Sequence, residues 1–65
     1  MLAHNTINYM RYAAADLVGR DLADNPHPTD PEQWCMRSDN PNLADHMAQL
    51  GYKVTTQGNG WIGVS

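Results

Sequence analysis

Pro26, Pro28 and Pro31 fall within one short stretch of the chain. No regular helix survives proline at that spacing, because each ring removes an amide donor and clashes with the preceding turn. The chain is therefore divided into a segment before Asn25 and a segment after Pro31. The first reads as a helix from Thr6 to Asp24, with Asn5 or Thr6 as N-cap. Ile7, Met10, Ala14, Leu17 and Val18 recur at helical spacing as one apolar stripe, with Leu22 at its edge. Tyr9, Ala13, Asp16, Arg20 and Asp24 take the opposite side, and Tyr12 the flank. Asp16–Arg20 and Arg20–Asp24 are spaced as i,i+4 ion pairs, each worth about 0.2–0.5 kcal/mol. Asp21 falls inside the apolar stripe. Either Gly19 loosens the helix before it, or Asp21 meets a donor from another element.

Beyond the prolines, Asp30-Pro31-Glu32-Gln33 has the form of a helix start, with Asp30 capping, Pro31 first in the helix and Gln33 completing a capping box. A short helix from Pro31 to Arg37 is expected to bury Trp34 and Cys35. Asn40-Pro41 repeats the device, so a third helix is expected from Pro41 to Leu50, carrying Leu43, Met47 and Leu50 on one face. Gly51 follows as its C′ residue. Tyr52 to Gln57 then alternates, Gly58-Asn59-Gly60 signals a tight turn, and Trp61 to Val64 returns as the partner strand. The expected fold is one small α+β domain over residues 1–65: three helices followed by a C-terminal two-stranded antiparallel hairpin. Its expected core is Ile7, Met10, Ala14, Leu17, Val18, Trp34, Leu43, Met47, Leu50, Val54, Trp61 and Ile62.

A chain of 65 residues has room for one core and one working surface, and buries only about 60% of its unfolded surface. Its single cysteine, Cys35, cannot form an intrachain disulfide, which suits a reducing cytoplasm. The N-terminus lacks a charged region followed by an apolar run, so no secretory leader is expected. No apolar stretch approaches a membrane span. Seven acids face four Lys or Arg, for a net charge of −3. That balance argues against direct nucleic-acid or membrane binding and favours a basic partner.

No catalytic or metal cluster is legible. His4, His27, His46 and Cys35 lack the paired spacing of zinc ligands and read as scattered surface histidines and a structural cysteine. No nucleophile stands beside a histidine and an orienting acid in sequence. Gly58-Asn59-Gly60 lacks the Lys-Ser/Thr of a phosphate loop. No cofactor is expected. Helix, turn, helix and a two-stranded wing is also the order of a winged-helix DNA-binding regulator, the alternative reading. Its recognition helix would then present Asn42, Asp45, His46 and Gln49. That face has no Lys or Arg, and phosphate neutralisation supplies most nonspecific DNA affinity.

The acids are Asp16, Asp21, Asp24, Asp30, Glu32, Asp39 and Asp45. They can be read as a solvated face that keeps a small protein soluble. They concentrate, however, in the first helix, the connecting loops and the helix starts, and Tyr9 and Tyr12 lie beside Asp16. Tyrosine is enriched at interface hot spots, so these nine residues are the candidate partner-binding set.

Over its full length, from MLAHNTINYMRYAAADLVGRDLAD to LGYKVTTQGNGWIGVS, the chain resembles the small phage-encoded anti-CRISPR proteins that inhibit the type I-C system. The resemblance is one of overall sequence and carries no diagnostic motif. It implies a non-catalytic, stoichiometric inhibitor acting in the bacterial cytoplasm, expected as a monomer. Anti-CRISPR proteins bind the Cascade effector or its nuclease, and several acidic ones occupy the basic channel that takes target DNA or its PAM. The implied partner is the basic DNA-binding surface of a Cascade subunit, with no direct nucleic-acid contact.

Overall fold

The computed structural model describes all residues, 1–65. Helix α1 spans His4–Val18 and α2 spans Leu43–Gln49; the strands are β1 (Ala23–Pro26), β2 (Trp34–Arg37), β3 (Val54–Gly58) and β4 (Trp61–Val64). They form one four-stranded sheet in the order β1-β2-β4-β3, with every neighbouring pair antiparallel. The domain is α+β, but it has two helices and a four-stranded antiparallel sheet. The expectation of three helices and a two-stranded hairpin is corrected.

The correction has local causes. The first helix ends at Val18, not Asp24, because Gly19 adopts φ 58° and leads into a single 3-10 turn, Gly19–Asp21. Its N-cap is Ala3, without a side-chain cap. The expected helix Pro31–Arg37 is instead a turn followed by strand β2. Asp30 does accept the Glu32 amide at 2.9 Å, as an N-cap carboxylate would, but Gln33 donates its side-chain amide to the Asp30 carboxylate at 2.9 Å, and the Asp30 amide bonds to His27, so no capping box forms. These bonds close a turn, and Trp34–Arg37 then pairs on both sides, with β1 and β4. The third helix is shortened to Leu43–Gln49, preceded by an Asn40 side chain that accepts the Asn42 amide at 2.9 Å. Gly51, φ 97°, follows it. Strands β3 and β4 meet through Gly58, Asn59 and Gly60, all at positive φ, with a register shift between Thr56 and Gly58.

Pairing fixes which residues share a face. Trp34 and Met36 of β2, Ile62 and Val64 of β4, and Val54 of β3 lie under the helices. There Met10 and Ala14 of α1 and Leu43 and Met47 of α2 join Met36 and Val64 in one buried cluster. Three of the four large fully buried side chains are methionines, Met10, Met36 and Met47, and the fourth is Val64. The core expectation needs amending: Met36 and Val64, not expected there, are fully buried in the cluster, while Ile7 and Leu17 are only half-buried and lie outside it, as do Leu50 and Trp61. Leu50 is 55% exposed. Trp61 pairs with Arg37 on the opposite face and lies half-buried, outside the cluster.

That second face carries Cys35, Arg37, Trp61, Gly63 and Thr55, and no helix covers it. Across it runs a closed ring of hydrogen bonds. His27 Nδ1 accepts the Asp30 amide at 2.9 Å, so the ring proton sits on Nε2 and is donated to Gln57 Oε1 at 2.9 Å. The Gln57 amide donates to Thr55 Oγ1, the Thr55 hydroxyl to Gln33 Oε1, and the Gln33 amide to Asp30 Oδ2, each at 2.9 Å. Gly63 is the floor beneath it. A Cβ there would lie within 2.8 Å of Gln57 Nε2 and Thr55 Oγ1 and nearer still to Gln33 Oε1, so the ring needs glycine for its close approach to the sheet.

Candidate partner-binding surface

Helix α1 buries one stripe, Met10 and Ala14 with Ile7, Leu17 and Val18 half-covered beside them. The residues at i, i+3 and i+7 on its outer side are Tyr9, Tyr12 and Asp16, which share one face. Both tyrosines are 67% exposed, and Asp16 is exposed in the following turn. The tyrosines are therefore not packed beneath the proline-rich loop. Two large apolar rings on a rigid helix, with a carboxylate next to them, make a ready contact surface.

The other candidate acids divide by what they hold. Asp24 lies on β1, not on a helix, and points to the helix-covered side of the sheet, opposite Met36. One of its oxygens, Oδ2, receives the Trp34 indole N–H at 2.8 Å and pairs with Arg11 Nε at 2.9 Å. Its side chain is only 15% exposed. This clamp joins α1, β1 and β2, and it replaces the expected Arg20–Asp24 pair. The expected Asp16–Arg20 pair is absent as well: the ion pairs of the protein are Arg11–Asp24 and the N-terminal ammonium with Glu32. Sequence spacing could not find the clamp, because Arg11 and Asp24 stand together only after the chain turns at Gly19.

Asp21 resolves the puzzle of an acid on the apolar stripe. The helix has ended before it, and its carboxylate accepts the Ser38 hydroxyl at 2.7 Å and the Asp39 amide at 2.8 Å. These two bonds, the Ser38 hydroxyl foremost, hold its pKa below the ordinary carboxylate value; the Gln33 and Glu32 amides do the same for Asp30. A carboxyl group whose folded pKa is depressed contributes stability that is full above its unfolded pKa and lost as pH falls through the folded one. The melting temperature is therefore expected to fall as pH drops below about 4. Asp21→Asn should flatten that dependence; an identical acid limb in the variant would show that the bond to Ser38 is not made in solution.

Asp39 and Asp45 are exposed and make no side-chain bond or ion pair. Asp45 lines a shallow cleft with Leu17, Asn42, His46 and Gln49 at the α1–α2 junction. His46 does not point freely outward: its Nε2 donates to the Ala13 carbonyl at 2.8 Å and ties α2 to α1. His27 and His46 thus hold structure and are not scattered surface groups. The structure therefore leaves Tyr9, Tyr12, Asp16, Asp39 and Asp45 free for a partner, while Asp21, Asp24, Asp30 and Glu32 are engaged internally.

Burial pushes the Cys35 thiol pKa up, and the side chain is 6% exposed. No group of three or more His, Cys, Asp or Glu side chains comes together as a metal site. No helix is long and apolar enough to cross a membrane. Comparison of the chain with protein-family models, with curated proteins and with solved structures finds no match.

Proposed function

We propose that this protein acts by binding, not by catalysis, and that the outer face of α1 docks on a basic surface of a larger partner. The observation that carries the reading is the exposure of Tyr9 and Tyr12 on one helical face next to Asp16. The full-length resemblance to inhibitors of the type I-C system points to the partner: the DNA-binding surface of Cascade in the bacterial cytoplasm, with PAM and target binding blocked. The winged-helix alternative is not carried forward, because a strand stands where its second helix would be.

Charge arithmetic shapes the mechanism. The longest axis is 27 Å, a length over which duplex DNA presents about sixteen charges. The three acids free of internal partners cannot replace that array. They serve to steer the protein to a basic groove, which its body then fills. Steering by exposed charge is screened over about 8 Å at physiological ionic strength, so association should slow as salt rises.

The test is retention of purified type I-C Cascade by the immobilised protein, followed by competition with a PAM-containing duplex. Wild type should hold Cascade and lower duplex binding. The double variant Tyr9→Ala, Tyr12→Ala should weaken retention by tenfold or more, on the order of one hot-spot residue. Asp16→Lys should weaken it chiefly through the on-rate. Circular dichroism checks that each variant is folded. Undiminished retention by a folded tyrosine double variant would move the interface off α1, and no retention of Cascade by wild type would end the proposal.

A further inference from the structure

A second feature lies on the flank of α1, between the helix and Asp24 of β1. A cleft of about 410 Å3 opens there. Arg11, Arg20 and Asp24 supply its charge, and Asn8 and Tyr12 add polar groups at the helical side. Leu22 and Ala15 give it an apolar part. Arg11 sets its Nε 2.9 Å from Asp24 Oδ2, and its side chain is half exposed. Arg20 belongs to neither ion pair of the protein. Two guanidinium charges against one carboxylate leave the cleft with one net positive charge, in a chain whose net charge is −3. Asp16 and Asp21, the carboxylates that flank Arg20 in sequence, neither line the cleft nor form an ion pair with it.

We propose that this cleft binds a single carboxylate group carried on a short apolar stem, as at the end of a glutamate side chain. A planar guanidinium matches a carboxylate through paired N–H donors, and one net positive charge is complementary to a monoanion. Leu22 and Ala15 receive the stem. Arg20, free of any internal role, is the primary ligand. Arg11 is the second, held in position by Asp24, which is itself fixed by the Trp34 indole. The site shares Tyr12 with the face proposed to dock on Cascade but does not depend on that docking, and it can be tested without any effector complex.

Butyrate is the probe, titrated into the isotopically labelled full chain at constant ionic strength, with amide and arginine Nε–H resonances followed by NMR. Saturable shifts are expected at Asn8, Arg11, Tyr12, Gly19 and Arg20. Arg20→Gln should weaken butyrate binding by about tenfold, the loss of one charge-assisted contact, while leaving the fold intact because Arg20 holds nothing in the protein. Lys53→Gln, away from the cleft, should leave it unchanged. Three results would each overturn the proposal: shifts that grow linearly without saturation, equal binding by Arg20→Gln, or tighter binding of inorganic phosphate than of butyrate.

Discussion

Replacing Met36 with alanine is expected to lower stability by about 2–5 kcal/mol, the range for deleting a large buried side chain. Met36 is fully buried in a central strand, paired to β1 on one side and β4 on the other. It meets Met10, Ala14, Leu43 and Met47 in one cluster, so it is the point where both helices rest on the sheet. A domain of this size starts from about 5 kcal/mol, and the loss should leave a large unfolded fraction at 25 °C. Urea denaturation measures it. Met36→Leu, nearly equal in volume, should cost less than about 1.5 kcal/mol. If the alanine variant unfolds at the same urea concentration as wild type, β2 does not run through the core.

Asp24→Ala is the second large effect, expected at about 2–3 kcal/mol. The side chain forms an ion pair with Arg11 and accepts the indole N–H of Trp34 at nearly the same distance. Its removal leaves the half-buried Trp34 N–H without an acceptor and frees Arg11. Asp24→Lys should be worse, since it sets a second cation against Arg11. Asp16→Lys, on the exposed face of α1, should leave stability within about 0.5 kcal/mol of wild type. Thermal melts of the three variants check the order. Equal melts for the Asp16 and Asp24 variants would return Asp24 to the solvent side, where helical spacing first put it.

The parts of the fold legible in the sequence are those set by neighbours along the chain. Gly51 after a helix, Gly58-Asn59-Gly60 between two alternating runs, and the Met10–Ala14 stripe all act over a few residues, and each is found where spacing puts it. Strand β2 was not legible. Trp34-Cys35-Met36-Arg37 is too short to separate a period of 2 from one of 3.6, and its capping-box prelude suits a turn as well as a helix. Strand β1 was hidden more deeply. Ala-Asp-Asn-Pro consists only of residue types depleted in strands, alanine least so, and it is extended because β2 pairs with it and Asp24 is clamped. Pro26 is tolerated there because β1 is an edge strand. Among the candidate site residues, the outward position of Tyr9 and Tyr12 followed from helical spacing. The roles of the acids did not, because a carboxylate's partner is set by which donors the fold brings to it. Those of Asp21 sit at Ser38 and Asp39.

The hydrogen-bond ring over Gly63 runs in one sense only. The Asp30 amide can donate but never accept, so every link after it has its direction fixed: imidazole to Gln57, Gln57 to Thr55, Thr55 to Gln33, Gln33 back to Asp30. Neither glutamine can flip its amide alone without setting donor against donor or oxygen against oxygen. The loop from His27 to Gln33 and strand β3 are thereby tied together by a circuit whose direction goes with the proton on His27 Nε2. On a face without a covering helix, this circuit gives an exposed surface one defined arrangement of donors and acceptors in place of apolar packing.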